Sequence, residues 1–119
     1  MGKRIAGTMY VKIDGSQIEL SGGFECPANA VKRETVMGTN GPAGYKETAI
    51  RPYVKGSFIF NADFPLATLQ SNTAMSVTVE LANGAVYTLS DAWLEGDSVV
   101  KGDDGTIDIE LSGMRGIWQ

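Results

Sequence analysis

Two alternating stretches flank Asp14-Gly15, and they constrain the fold more than anything else in the chain. Met9, Val11 and Ile13 alternate with Tyr10 and Lys12; Ser16-Gln17-Ile18-Glu19-Leu20 follows the turn. A period of two sends successive side chains to opposite faces of a strand. Asp-Gly supplies a two-residue turn in which glycine takes positive φ at little cost. Pairing across it sets Ile13 opposite Ser16, Val11 opposite Ile18 and Met9 opposite Leu20. The other face pairs Lys12 with Gln17 and Tyr10 with Glu19. Every large aliphatic side chain then shares one face, so one register satisfies both turn and pattern.

Two further hairpins are expected. One spans roughly 75–90 and pivots on Asn83-Gly84, setting Leu81 opposite Val86 and Val79 opposite Thr88. The other spans roughly 93–113 and turns at Asp103-Asp104-Gly105. Its Ile107, Ile109 and Leu111 alternate with Asp108, Glu110 and Ser112, giving one buried and one wet face. One helix signal stands out, with Asp63 expected to cap Phe64–Gln70 and Pro65 in the first turn. Leu66 and Leu69 are three apart, and two turns hold only when packed on a sheet. The fold class is therefore all-β dominated: a β-sandwich or barrel of antiparallel hairpins with one short α-helix. The 119 residues are expected to form a single domain, 1–119.

The segment Val31–Ile50 breaks the pattern. Val31–Val36 and Tyr45–Ile50 can both extend, but neither has a clean apolar face. Met37–Gly44 between them is rich in turn formers. A long polar hairpin buries too little to offset its ordering entropy. It reads either as a flexible surface loop or as an assembly arm, at about 31–50, that orders against a neighbouring subunit.

Much chemistry is excluded. The chain has no histidine and one cysteine, Cys26, so histidine-based triads, His-ligated metals, internal disulfides and multi-Cys sites are out. Cys26 reads as a small buried apolar residue. Asp108 and Glu110 share a strand face, but alternating acids on a strand are a solvated face before they are a catalytic pair. Asp97, Asp103, Asp104 and Asp108 lack EF-hand spacing, and the glycines from Gly38 to Gly44 do not form a phosphate loop. No catalytic residues, cofactor or metal are expected, and the chain reads as a non-enzyme. The net charge of −4 argues against a sequence-independent nucleic-acid binder. No run approaches the ~18 apolar residues of a membrane span, and the basic start is not followed by a signal-peptide core. The expected setting is a cytoplasm.

Charge is split along the chain. Residues 1–60 carry eight basic and five acidic side chains, and residues 61–119 carry two basic and nine acidic. This reads as two faces of one domain, or as a head-to-tail assembly in which a basic surface meets an acidic one. Lys32, Arg33 and Lys46 lie on the arm and Arg51 beside it. Asp91, Glu95, Asp97, Asp103 and Asp104 are the expected acidic partners. Trp118, one residue from the end, suggests a tail docked on its own domain or on a neighbour.

Ordered fragments along the whole chain carry a resemblance. They are Arg4-Ile5-Ala6-Gly7-Thr8, Tyr10–Gly15, Arg33-Glu34-Thr35-Val36, Gly44-Tyr45-Lys46-Glu47-Thr48 and Pro52-Tyr53-Val54-Lys55-Gly56. Asp63-Phe64-Pro65-Leu66, Glu80–Gly84, Gly113-Met114-Arg115-Gly116 and Trp118-Gln119 complete the series. The chain resembles the tail tube proteins of Mu-like contractile-tailed bacteriophages. The resemblance implies a structural subunit that self-assembles into hexameric rings stacked as a hollow conduit for DNA inside a contractile sheath. It implies a virion location, with assembly in the host cytoplasm, and does not exclude a prophage or a phage-tail-like bacteriocin. Implied partners are further copies of the chain, sheath, baseplate initiator, terminator and tape measure proteins, with DNA passing unbound and no membrane. Hairpin edges are expected to continue a sheet from one subunit to the next. Candidate inter-subunit residues are Lys32, Arg33, Glu34, Tyr45, Lys46, Arg51 and Trp118. Candidate lumen-facing residues are Glu80, Asp108 and Glu110. The competing reading is a monomeric β-sandwich binding module for carbohydrate or protein.

Overall fold

A computed structural model describes residues 9–119. The first hairpin joins β1 (Met9–Ile13) to β2 (Ser16–Ile18) with Ile13↔Ser16, Lys12↔Gln17 and Val11↔Ile18 in register, as the alternation requires. The turn residues Asp14 and Gly15 both have positive φ. The expected Met9–Leu20 pairing does not form. Leu20 opens β3 (Leu20–Glu25), which leaves β1 and pairs instead with β6 (Tyr53–Ile59), placing Leu20 opposite Phe58.

That switch helps shape the body. The hydrogen-bonded path runs β2-β1-β7-β8-β10-β6-β3, with β7 at Met75–Leu81, β8 at Val86–Leu94 and β10 at Thr106–Ser112. Its two ends, β2 and β3, are separated only by Glu19, so one bent strand serves both. A second bend lies at Gly113. There β10 ends and β11 (Arg115–Trp118) begins, still running along β8. Strands that switch sheets at corners are how two crossed sheets close around one core. A Cβ at Gly113 would lie 2.7 Å from Leu89 Cγ and 2.8 Å from the Ser90 carbonyl oxygen, so the bend requires glycine.

The core draws on both sheets. Val11, Ile13, Val77, Val79 and Leu89 face Val54, Phe58, Ile107, Ile109 and Leu111, all buried. The helix α1 (Leu66–Ser71) sends Leu69 into this core. Its start differs from expectation. Pro65 occupies the N-cap position with no side-chain cap, and the Asp63 amide donates to Asn61 Oδ1 in the preceding turn.

The second hairpin is shifted by one residue. Val79 pairs with Tyr87 and Glu80 with Val86. The Gly84 amide bonds the Leu81 carbonyl, and the Leu81 amide bonds the Ala85 carbonyl. Asn83-Gly84 thus ends a three-residue loop, with Gly84 at φ +92°. The extra residue turns Tyr87 and Leu89 inward and leaves Val86 half-buried. The third hairpin follows its pattern except at Ser112, which was expected on the wet face and is buried beside Leu111 where β10 turns onto β8. The short β9 (Val99–Lys101) folds back on Thr106–Asp108 through a turn closed from the Gly105 amide to the Lys101 carbonyl.

The arm stands apart. β4 (Val31–Gly38) and β5 (Gly41–Ala49) form their own two-stranded sheet. The strands run closer to the tip than the turn-rich composition suggested, leaving Thr39-Asn40 as the loop and Ala43 as a bulge. The radius of gyration is 17.2 Å, against about 13.5 Å for a compact chain of this length. The protein measures 61 × 43 × 27 Å, an elongation that fits a protruding arm.

Candidate assembly surfaces

No arm side chain is buried. Its charges pair across and along the hairpin: Lys32 with Glu34 at 3.0 Å, Arg33 with Glu47 at 3.1 Å and Lys46 with Glu34 at 3.7 Å. The Arg33 guanidinium also sits 5.5 Å from the centre of the Tyr45 ring. The arm's cations are thus satisfied locally, in contrast to the bare basic surface the charge split suggested. What it leaves unmatched is apolar: Val36, Met37 and Tyr45 are exposed, Met37 by 67%.

Arg51 does not join the arm. Its Nη2 bonds Glu110 Oε2 at 2.7 Å, and its Nη1 bonds the buried Ser112 Oγ. Ser112 Oγ in turn donates to Glu95 Oε1 at 3.1 Å, and the guanidinium lies 4.8 Å from the Tyr53 ring centre. Arg51 therefore holds β10 and the end of β8 within its own subunit, and it occupies two of the nominated acids.

Trp118 also docks on its own chain. Its ring centre lies 5.0 Å from that of Tyr87, and Nε1 donates to the Pro27 carbonyl at 3.0 Å. β11 can lie this close to Tyr87 because residue 116 is glycine; a Cβ there would overlap the tyrosine hydroxyl. Burial pushes the Tyr87 hydroxyl above the ordinary tyrosine pKa, with smaller contributions from Cys26 and Tyr53. Cys26 packs against the core, and burial raises its thiol as well. Between β11 and the root of the arm runs an apolar groove lined by Pro27, Ile50, Pro52, Met114, Ile117 and Trp118. Sequence reading singled out only Trp118 from this groove; exposed Met114 and Ile117 lie within four residues of it, a readable but unused signal.

The three nominated lumen acids do not share a face. Glu80 lies on the outer side of the β1–β7 sheet, 3.9 Å from Lys12. Asp108 and Glu110 lie on the outer side of β10, beside Ser57 and Lys55 of β6. The Ser57 hydroxyl and the Lys101 ammonium, 3.2 Å away, hold the Asp108 carboxyl below the usual aspartate range. With Lys55–Glu25 and Arg51–Glu110 alongside, this face is a lattice of ion pairs more than an acidic wall.

A self-paired arm with an exposed apolar tip and an apolar groove at its root are features of a part built to meet other parts. The family model described as phage tail tube protein matches residues 2–118. The chain belongs to the phage tail tube family. No curated protein sequence matches it. Among solved structures, this tail tube protein is similar to the tube-terminating cap of the anti-feeding prophage. The TM-score is 0.69 at 12% identity, over 100% of this chain and 93% of that one. It is also similar to a chain of the sheath–tube complex of the extracellular contractile injection system PVC, in the extended state. There the TM-score is 0.62 at 14% identity, over 93% and 87% of the two chains. A chain of the sheath/tube terminator of that system gives 0.63 at 12%, over 93% and 92%. At such identities the likeness establishes the fold, while the family match identifies a structural subunit.

Proposed function

We propose that this tail tube protein is the repeating subunit of the inner tube of a contractile tail of the Mu-like kind. Copies form six-fold rings, and the rings stack into a hollow conduit for DNA inside a sheath. The protein does this by assembly and performs no chemistry on a substrate. It enters the virion after assembly in the host cytoplasm, and sheath, initiator, terminator and tape measure proteins are its partners there.

One observation carries the stacking half of this reading. The arm is a formed hairpin whose hydrogen bonds, ion pairs and strand register are internal, yet whose apolar tip faces solvent. Two-stranded hairpins are marginal in water, so its exposed Val36, Met37 and Tyr45 need a partner to seat them. In a head-to-tail stack that partner is the next ring. Lys32, Arg33, Glu34, Tyr45 and Lys46 then hold the hairpin in shape for contact, while Arg51 and Trp118 fix the surfaces at its root. Asp108 and Glu110 remain our assignment for the channel wall; Glu80 faces the opposite way and leaves it.

The test is direct. Purified protein in a chelator-containing buffer should form rings or tubes visible by negative-stain microscopy as concentration rises. A variant lacking Thr39–Ala43 should stay folded and lose stacking. A wild-type chain that remains monomeric throughout would sink the reading.

A further inference from the structure

Among the described residues β11 has a strand neighbour on one side only, β8, from Arg115↔Ser90 to Trp118↔Tyr87. Val86 and Gln119 exchange both backbone bonds, at 2.8 and 3.4 Å. Bonding alternates residue by residue along an antiparallel ladder. The amides and carbonyls of Trp118 and Gly116 therefore point away from β8, towards the root of the arm. The apolar groove is thus a slot with an open strand edge along one wall.

The slot holds one cation of unusual standing. Lys12, Lys32, Arg33, Lys46, Arg51, Lys55 and Lys101 each pair with a carboxylate. Among the described residues Arg115 is the one that does not, and it is exposed at the slot.

A matching feature lies elsewhere on the body. Among the described residues β9 pairs with β10 alone, which leaves its outer edge open there. Val99 and Val100 are 53% and 47% exposed. Asp97 precedes them, and Asp103-Asp104 follows in the turn. All three acids are exposed, and none pairs with a cation among the described residues. One strand edge thus carries apolar side chains between acids, and the other carries apolar side chains beside a lone arginine. β9 lies against Thr106–Asp108, and β11 begins seven residues further along the bent strand, roughly 20 Å away. Within one chain, therefore, β9 does not reach the slot.

The geometry points to a second copy of this chain as the occupant: β9 of one subunit adds as a strand to β11 of the next. Val99 and Val100 then meet Met114 and Ile117, and Asp103 and Asp104 meet Arg115. Addition to a free edge supplies main-chain hydrogen bonds, and the charges set register and partner. The contact uses two different surfaces, so repetition closes a ring or runs on as a filament. The inference rests on the tube reading for its setting. It assigns the lateral contact to β9 and β11 and leaves stacking to the arm.

Charge reversal tests it with full-length protein. Arg115→Asp gives a copy acidic at both slot and β9. Asp103→Lys/Asp104→Lys gives a copy basic at both. Each alone should need at least about tenfold more protein to assemble, read by sedimentation velocity. An equimolar mixture should recover assembly, because every β9 then meets a slot of opposite charge. Circular dichroism confirms that each variant is folded. Unchanged assembly of Arg115→Asp, with wild type forming rings, overturns the slot and leaves the tube reading standing. Impaired variants that do not rescue each other also overturn it. A wild type that never assembles overturns both.

Discussion

Ile107, Ile109 and Leu111 alternate along β10 and are buried, whereas β4 and β5 bury no side chain. Both regions are antiparallel, and both have glycine at their turns, Gly105 in one and Gly38 and Gly41 flanking the loop in the other. The barrel strands are held by apolar surface removed from water, at roughly 25 cal/mol per Å². The arm has little such surface. Its three ion pairs are exposed, and pairs of that kind are worth about 0–1 kcal/mol each. The hairpin's own ladder runs on to its root, where the Ile50 amide bonds the Ala30 carbonyl at 3.1 Å. The same local grammar therefore makes a self-sufficient body in one place and a partner-dependent projection in the other.

The largest expected contrast comes from truncation. Leu89→Ala should cost about 2–5 kcal/mol, because Leu89 is fully buried between the bend at Gly113 and the core. Met37→Ala at the arm tip should change monomer stability by less than about 0.5 kcal/mol. Urea unfolding of the two variants measures both. A comparable loss from each would mean the arm packs on the body in solution, and the division would fail.

Glycine replacement sharpens the comparison at the next scale. Gly113→Ala places a Cβ 2.7 Å from Leu89 and 2.8 Å from the Ser90 carbonyl. A side chain and a backbone must both move, at a cost of about 1–3 kcal/mol. Gly38→Ala in the arm meets its nearest atoms at 3.4 and 3.5 Å, ordinary contact, and should stay within about 0.5 kcal/mol of wild type. Thermal unfolding of the pair is the check. Equal shifts would remove the distinction between a corner that tolerates only glycine and a hairpin that does not.

What could be read from sequence follows the same line. Val11, Ile13 and Ile18 announced their register because one face had to be buried, and a slip would have exposed it. Asn83-Gly84 announced a turn but not its length. The third loop residue became visible only when Tyr87 was needed in the core. Leu20 misled because alternation says which face a residue takes, not which strand it pairs with, and the bend at Glu19 hands it to β6. Among assembly residues, the arm was legible as a polar anomaly. Arg51 was not placed, because its partners Glu95, Glu110 and Ser112 are distant in sequence. The β9 and β11 edges were invisible, since an unpaired edge is a property of topology.

Arg33→Glu and Lys12→Glu test the arm against the barrel surface. Arg33 pairs with Glu47 and lies 5.5 Å from the Tyr45 ring centre; Lys12 pairs with Glu80 at 3.9 Å. Both pairs are exposed, so each substitution should cost the monomer no more than about 1 kcal/mol. Assembly should separate them. Reversal at Arg33 puts a second acid beside Glu47 and splays a hairpin that every subunit presents to the next ring. Ring stacking, scored by microscopy, should therefore fall for Arg33→Glu and persist for Lys12→Glu. Equal effects would remove the specific role of the arm.

The smallest effect expected is a pH dependence located on the barrel. Ser57 donates a hydrogen bond to Asp108, and Lys101 adds a second partner, so the folded carboxyl sits below its ordinary pKa. The unfolded chain then binds the proton more readily than the folded one. Stability from this group is present above the unfolded value of about 3.9 and is lost as pH falls through the depressed folded value. Asp108 is exposed to solvent, which keeps the contribution modest. Asp108→Asn leaves a side-chain oxygen for Ser57 and Lys101 to bond but cannot titrate. Wild type should be the more stable of the two near pH 6, and the gap should narrow as pH falls below about 4. Urea unfolding at a series of pH values measures the gap. A gap that stays constant across the series would show that acid sensitivity resides elsewhere than at Asp108.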